Sequence, residues 1–240
     1  MKKTLTIARK ELESFFGSPI ALIFLTIFLV VTLFVFFWVA GFFARGIADI
    51  RPLFRWMPLT LIFLVAALTM RQWSEEQRSG TIEMLMTLPL APSQMVLGKF
   101  LAVMALVGVA LLLTLPIPAV VAMLGPLDWG PAIGGYLAAL LLAAAYAALG
   151  QWLSALTDSP IVALLATAVI GGLLYLVGTP IVTNLTGAPW NGLLRAAGTG
   201  SRFESIERGV IDLRDLLYYL SLCALFLLLT VYTLDRKRWG

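Results

Sequence analysis

Six apolar runs, each long enough to cross about 30 Å of hydrocarbon as a helix, decide what this chain can fold into. They fall near Pro19–Phe43, Trp56–Trp73, Met95–Leu124, Pro131–Leu156, Pro160–Thr183 and Leu216–Leu234. Backbone N–H and C=O groups in lipid must bond one another, which leaves helices or a closed barrel. The two-residue alternation of barrel strands is absent, so helices remain. Composition agrees: the 240 residues are 60% hydrophobic and 12% charged, against about 45–50% and about 25% in soluble domains. The expected fold class is an all-α integral membrane protein.

Several chemistries are disfavoured at once. The first run is too long for a signal-peptide core and no small-residue cleavage site follows it, so it reads as a retained anchor. Cys223 is the only cysteine and there is no histidine, which removes an intramolecular disulfide and makes a metal site improbable. The net charge of +4 belongs with topology and anionic headgroups; no extramembrane stretch is long and basic enough for nucleic acid. With six spans both termini share one side. Lys2, Lys3, Arg9 and Lys10 lie at the head, Arg236, Lys237 and Arg238 at the tail, and every lysine, Lys99 included, falls toward that side. The other side carries arginines partly offset by Asp49, Glu204, Glu207, Asp212 and Asp215. The positive-inside bias therefore predicts cytoplasmic termini.

One interior segment is strongly charged: Arg71–Pro89, RQWSEEQRSGTIEMLMTLP. Charge at mid-bilayer costs about 2.5–3.5 kcal/mol per residue, so Glu75, Glu76, Arg78 and Glu83 must face water, a partner or both. Gly80-Thr81 reads as a helix start, with Thr81 as cap and Glu83 in the first turn near the positive dipole end. Ile82, Leu85 and Met86 share a face; Pro89 and Pro92 end the pattern, and Ser93 is placed to cap the third span. Residues 2–16 set Leu5, Ala8, Leu12, Phe15 and Phe16 at helical spacing, which predicts an amphipathic helix in the cytoplasmic interface. On the outer side, Asn184–Asp215 is too long for an idle connection. Trp190, Leu193, Leu194 and Ala197, then Phe203, Ile206 and Val210, predict two short helices around a Gly198–Gly200 break. The Asn184-Leu185-Thr186 glycosylation pattern is too short to weigh.

Within the spans, Thr32, Thr60, Thr69, Thr114, Gln151, Ser154 and Thr167 are the polar residues. No acid or base stands in their central parts, which argues against a gradient-driven transporter. Pro116 and Pro118 predict a kink in the third span. Ala143, Ala144, Ala145, Ala147, Ala148 and Gly150 in the fourth predict close helix packing.

The segment Glu75–Pro89, EEQRSGTIEMLMTLP, resembles the coupling-helix region of ABC transporter type-2 (ABC-2) permeases, and the tail Phe203–Val231, FESIERGVIDLRDLLYYLSLCALFLLLTV, resembles their gliding-motility (GldF-like) branch. A copper-enzyme maturation permease (NosY-like) is a close second. The resemblance covers essentially the whole chain. It implies one permease domain over 1–240, with an interfacial helix at 1–18, a cytoplasmic coupling helix at 74–92 and an outer helical loop at 184–215. It implies an exporter subunit in a bacterial cytoplasmic (inner) membrane, with ATP and Mg bound by separate cytoplasmic ATPase subunits and no cofactor on this chain. The chain has no G-x-x-x-x-G-K-[ST] phosphate loop, in keeping with that division. By matched position, Glu75, Glu76, Arg78, Gly80, Thr81 and Glu83 would meet the ATPase, with Asp158, beside Thr157 and Ser159, as a weaker second contact. A second permease subunit, most simply a homodimer partner, is implied as well, with room for accessory membrane or periplasmic proteins. Trp190, Leu194, Phe203, Glu204 and Ile206 are the candidates for an outer gate, and Gly198–Gly200 for its hinge. Two other readings stay open: a non-transporting scaffold or assembly factor, and a gradient-driven transporter. An intramembrane enzyme lacks its residues, since the spans hold no histidine and no aspartate.

Overall fold

In a computed structural model, residues 2–17, 19–87, 90–180, 182–183, 190–209 and 212–239 are described. All secondary structure among them is helical, and six segments are long and apolar enough to cross a membrane. The first span, Ala21–Arg45, is built from α2 (Pro19–Phe34), a π-helical turn (Val35–Val39) and α3 (Phe42–Arg45). Gly41 and Gly46 bound α3 with φ of 62° and 61°, conformations open to glycine at little cost. The second span begins at Arg51 with α4 (Arg51–Thr69) and runs into α5 (Ser74–Arg78). That start is five residues before the apolar run suggested, because Arg51 and Arg55 extend from the outermost turns while their backbone is already helical.

The third span breaks where its prolines fall. α7 (Pro92–Thr114) stops and α8 (Pro116–Leu124) restarts with Pro116 in its first turn. Pro92 takes the first helical position of α7, so Ala91 rather than Ser93 is the cap residue, and Gln94 Oε1 accepts from Ala91 N at 3.4 Å. α9 (Trp129–Leu156) is the central post of the bundle, packed by α4, α7, α10 (Pro160–Val177) and α13 (Leu213–Trp239). Its small residues serve that packing: Ala143, Ala145, Ala147, Ala148 and Gly150 are buried. A Cβ on Gly150 would lie 2.2 Å from Thr69 Oγ1 and one on Gly135 2.4 Å from the Phe54 ring.

The amphipathic α1 (Lys2–Gly17) divides its apolar residues differently from expectation. Ala8 is buried and Leu12 and Phe15 pack on the core, whereas Leu5 and Phe16 stay exposed at 65% and 51%. The reason is α7. Gly98 has no side chain, so Ile7 comes within 2.7 Å of where its Cβ would be. The helix is clamped to the third span.

Candidate functional site

The end of the bundle that holds both chain ends is assembled around a break in the second span. α4 ends at Thr69, and the turn through Trp73 leaves amide donors without helical partners. Trp73 N and Ser74 N both donate to Ser154 Oγ, at 3.1 and 3.2 Å, and that hydroxyl donates to Met70 O at 3.0 Å. Ser154 of α9 thus closes the break and aims α5 out of the bundle.

Lys99, near the start of α7, is only 5% exposed. Its ammonium donates to Glu76 Oε1 at 2.7 Å, Gln72 O at 2.8 Å and Glu11 Oε1 at 3.1 Å. It also lies 4.8 Å from the centre of the Trp73 ring, and Gln72 Nε2 donates back to Lys99 O at 2.9 Å. All its donors are used. One buried cation therefore ties α1, α5 and α7 together. Gln77 of α5 donates to Ser154 O and Ala155 O at 3.2 and 3.1 Å. Lys237, from the end of α13, donates to Ala155 O at 2.9 Å and to Gln77 Oε1.

On this frame stands α6 (Thr81–Thr87), joined to α5 by a tight corner. Thr81 is its first helical residue rather than an N-cap: the hydroxyl turns back to Ser79 Oγ at 2.9 Å and Glu76 O at 3.4 Å. Ile82 and Leu85 pack on a second small core made by Trp73, Met95, Val96, Ala155 and Leu234. The side chain of Met86, and Leu88 and Pro89 entirely, lie outside the described residues. Glu75, Arg78, Gly80, Thr81 and Glu83 are exposed, as is Asp158 in the turn between α9 and α10, while Glu76 faces inward to Lys99.

Gly80 makes the corner with φ of 71° and open space where a Cβ would be. Gly80→Ala is expected to cost about 1–2 kcal/mol from backbone conformation alone. The cost should appear as faster amide hydrogen exchange across Thr81–Thr87 with the rest of the bundle unchanged. An exchange pattern identical to the parent would show that the corner bears no strain.

At the opposite end, α11 (Trp190–Ala197) and α12 (Thr199–Glu207) meet at Gly198. The bend falls where the sequence placed it, but its glycines serve contact. A Cβ on Gly198 would lie 2.1 Å from Gly178 N, and one on Gly200 2.4 Å from Tyr175 O. Phe203 and Ile206 are fully buried. Tyr146 Oη pairs with Thr199 Oγ1 at 2.7 Å, Tyr219 Oη donates to Thr199 O at 2.8 Å, and Arg202 pairs with Asp215 at 2.8 Å. Leu194 is half-buried, and Glu204 reaches Arg208 at 3.7 Å. Residues 184–189, Val210 and the side chains of Trp190 and Leu193 lie outside the described residues.

The sequence reading missed Lys99, Glu11, Gln72 and Gln77. One signal was present: a lysine inside an apolar run needs a buried counter-charge, and Glu11 and Glu76 are the acids available on that side. Six spans with a charged helical hairpin between the second and third define a multi-pass membrane protein. The family model described as ABC-2 family transporter protein matches residues 52–196, from the start of α4 to α11. The chain belongs to that family, whose permeases generally pair with cytoplasmic ATPase subunits. A search of curated proteins gave no match.

Proposed function

We propose that this chain is the permease subunit of an ATP-driven exporter in a bacterial inner membrane, of the gliding-motility (GldF-like) branch, with cytoplasmic termini. A separate ATPase binds ATP and Mg and docks on α6 and the exposed face of α5. The supporting observation is the Lys99 junction: a hairpin presenting Glu75, Arg78, Thr81 and Glu83 outward is pinned through Glu76 to α7 and α1. Force applied to the hairpin reaches the third span through one buried ion pair rather than dissipating in a loose loop. Asp158 is the second contact, beside Gln77 and Lys237. A second permease copy completes the path, so that each hairpin meets one ATPase. The apolar stripe of α10, with Ile161, Leu165, Val169 and Leu173 exposed, suits either a second copy or lipid. α11 and α12 close the outer end.

Glu83→Lys tests this reading. Glu83 is exposed in the first turn of α6, where reversal of charge meets both the partner surface and the helix dipole. Expected is loss of ATPase co-purification and of coupled transport, with membrane insertion and thermal stability unchanged. Parental ATPase retention and transport would show that α6 is an idle connection.

A further inference from the structure

A cavity of about 810 Å³ lies at the end of the bundle away from the termini. Arg45 of the first span, Arg51 and Arg55 of α4, and Arg208 just past α12 line it. Arg208 has Glu204 at 3.7 Å and Arg51 has Asp128 at 3.9 Å. Arg45 and Arg55 make no ion pair or side-chain hydrogen bond among the described residues. Asp49, Glu204 and Glu207 share the wall, but Asp49 Oδ1 is already engaged by the Arg51 amide at 3.0 Å. Burial, reinforced by Glu204, pushes the Glu207 carboxyl up to about 7 against the pull of Arg208, Arg51 and Arg55. Four guanidiniums thus face three carboxylates around the cavity, and Arg45 and Arg55 stand outside any ion pair among the described residues.

A second, separate cavity lies deeper along α4. It is an apolar furrow of about 260 Å³ between α2 and α4, lined by Phe24, Ile27, Phe28, Val31, Leu59 and Phe63. On α4 the positions Arg55, Leu59 and Phe63 follow one another at i, i+4 and i+8. They form one stripe descending about 12 Å from the charged mouth into the depth of the hydrocarbon. Trp38 and Phe43, 79% and 70% exposed, and Trp56 at 43% mark the mouth as headgroup level. Cationic at headgroup depth and apolar beneath, this exposed stripe of α4 has the polarity of a single amphiphile.

We propose that this face binds an anionic amphiphile, its phosphate or carboxylate headgroup held by Arg45 and Arg55 and one acyl chain running down the α4 stripe to the furrow. Planar guanidinium forks suit either oxyanion. The site does not depend on the ATPase reading above and can be tested on the permease alone.

The test is lipid retention by the purified full chain, read by native mass spectrometry with phosphatidylglycerol or phosphatidylcholine added. The parent should retain phosphatidylglycerol in preference. Arg45→Gln combined with Arg55→Gln should reduce that retention at least about tenfold, as expected for loss of charge-assisted contacts, and leave phosphatidylcholine unchanged. The change breaks no ion pair or side-chain hydrogen bond among the described residues, so the fold should be kept. Arg214→Gln, exposed at the same end but outside the cavity, should behave as the parent. Inorganic phosphate in excess should not displace the lipid; displacement would mean a free-anion site and overturn the amphiphile.

A gain of binding supplies the complementary arm. Glu207 faces Glu204 and Arg208 from its own segment, Arg51 and Arg55 from α4, Tyr175 from α10, and Arg45 and Asp49 across the cavity. Above about pH 7 it ionises and offsets the arginines, so parental retention should weaken from about pH 6 to about pH 8. Glu207→Gln should hold the pH 6 level throughout. Equal retention of the two lipids by the parent, or parental retention in the double arginine variant, would overturn the proposal. So would a flat pH profile in the parent.

Discussion

Lys99→Met is expected to lower the thermal stability of the purified protein by about 3 kcal/mol, the largest loss for a single change at the end that holds both termini. Breaking a buried pair by removing one partner costs about 3–5 kcal/mol, because the remaining charge stays desolvated. Here the charges left behind are Glu76 and Glu11, whose side chains keep 20% and 21% exposure; that residual hydration places the figure at the lower end. For a chain of this size the loss corresponds to about 6–12 °C in Tm. Arginine should not substitute, since the ammonium serves three acceptors on separate elements and a planar fork does not reproduce them. Adding Glu76→Gln and Glu11→Gln to Lys99→Met should recover much of the loss by removing the stranded charges. A Lys99→Met protein melting within a degree or so of the parent would show that the junction contributes nothing. If the triple variant is stable but no longer retains the ATPase, the ion pair serves coupling apart from stability.

The same junction shows where sequence reasoning stops. The spans were legible because twenty-residue apolar runs have one solution in lipid, and the break at Pro116 was legible because proline lacks the N–H a helix interior needs. The start of α6 was legible through Gly80-Thr81 and the charges around it, but the single coupling helix expected over 74–92 is two, α5 and α6, turned against each other at Gly80. What could not be read is which way each charge turns. Glu75 and Glu76 are neighbours in sequence, yet one faces water and the other Lys99, twenty-three residues away. That choice depends on the rotation of α5 after the break at Met70–Trp73, which Ser154 sets from α9. The glycines at Gly98, Gly134 and Gly198 are a second case. As letters they suggest flexibility; in the fold they are points where another backbone or side chain arrives too close for a Cβ. The outer arginines were read as topology alone, because only the fold brings Arg45, Arg55 and Arg208, from three separate segments, around one cavity.

Gly134→Val should displace α12 from the bundle. A Cβ at Gly134 would lie 2.4 Å from Ile206 O and 3.2 Å from Gly209 Cα. Both neighbours are backbone, so no side-chain rotation relieves the contact, and α12 must move outward by about an ångström to restore an ordinary carbon–oxygen distance. Overpacking of this kind costs about 1–3 kcal/mol, and here it acts on the helix that buries Phe203 and Ile206 completely. A thiol at Ile206 reports the result. In a Cys223→Ser background, Ile206→Cys should be protected from a membrane-impermeant thiol reagent, and adding Gly134→Val should make it react. Protection in both would mean that the Thr199 hydrogen bonds and the Arg202–Asp215 pair hold α12 against the clash. The same thiol separates a fixed cap from a moving lid when the ATPase is trapped with nucleotide. Glycines spent on close contact, fully buried apolar residues and three polar ties leave α12 little freedom to lift. Protection of Ile206→Cys in every nucleotide state is therefore expected, and its loss on nucleotide trapping would make α12 the outer gate.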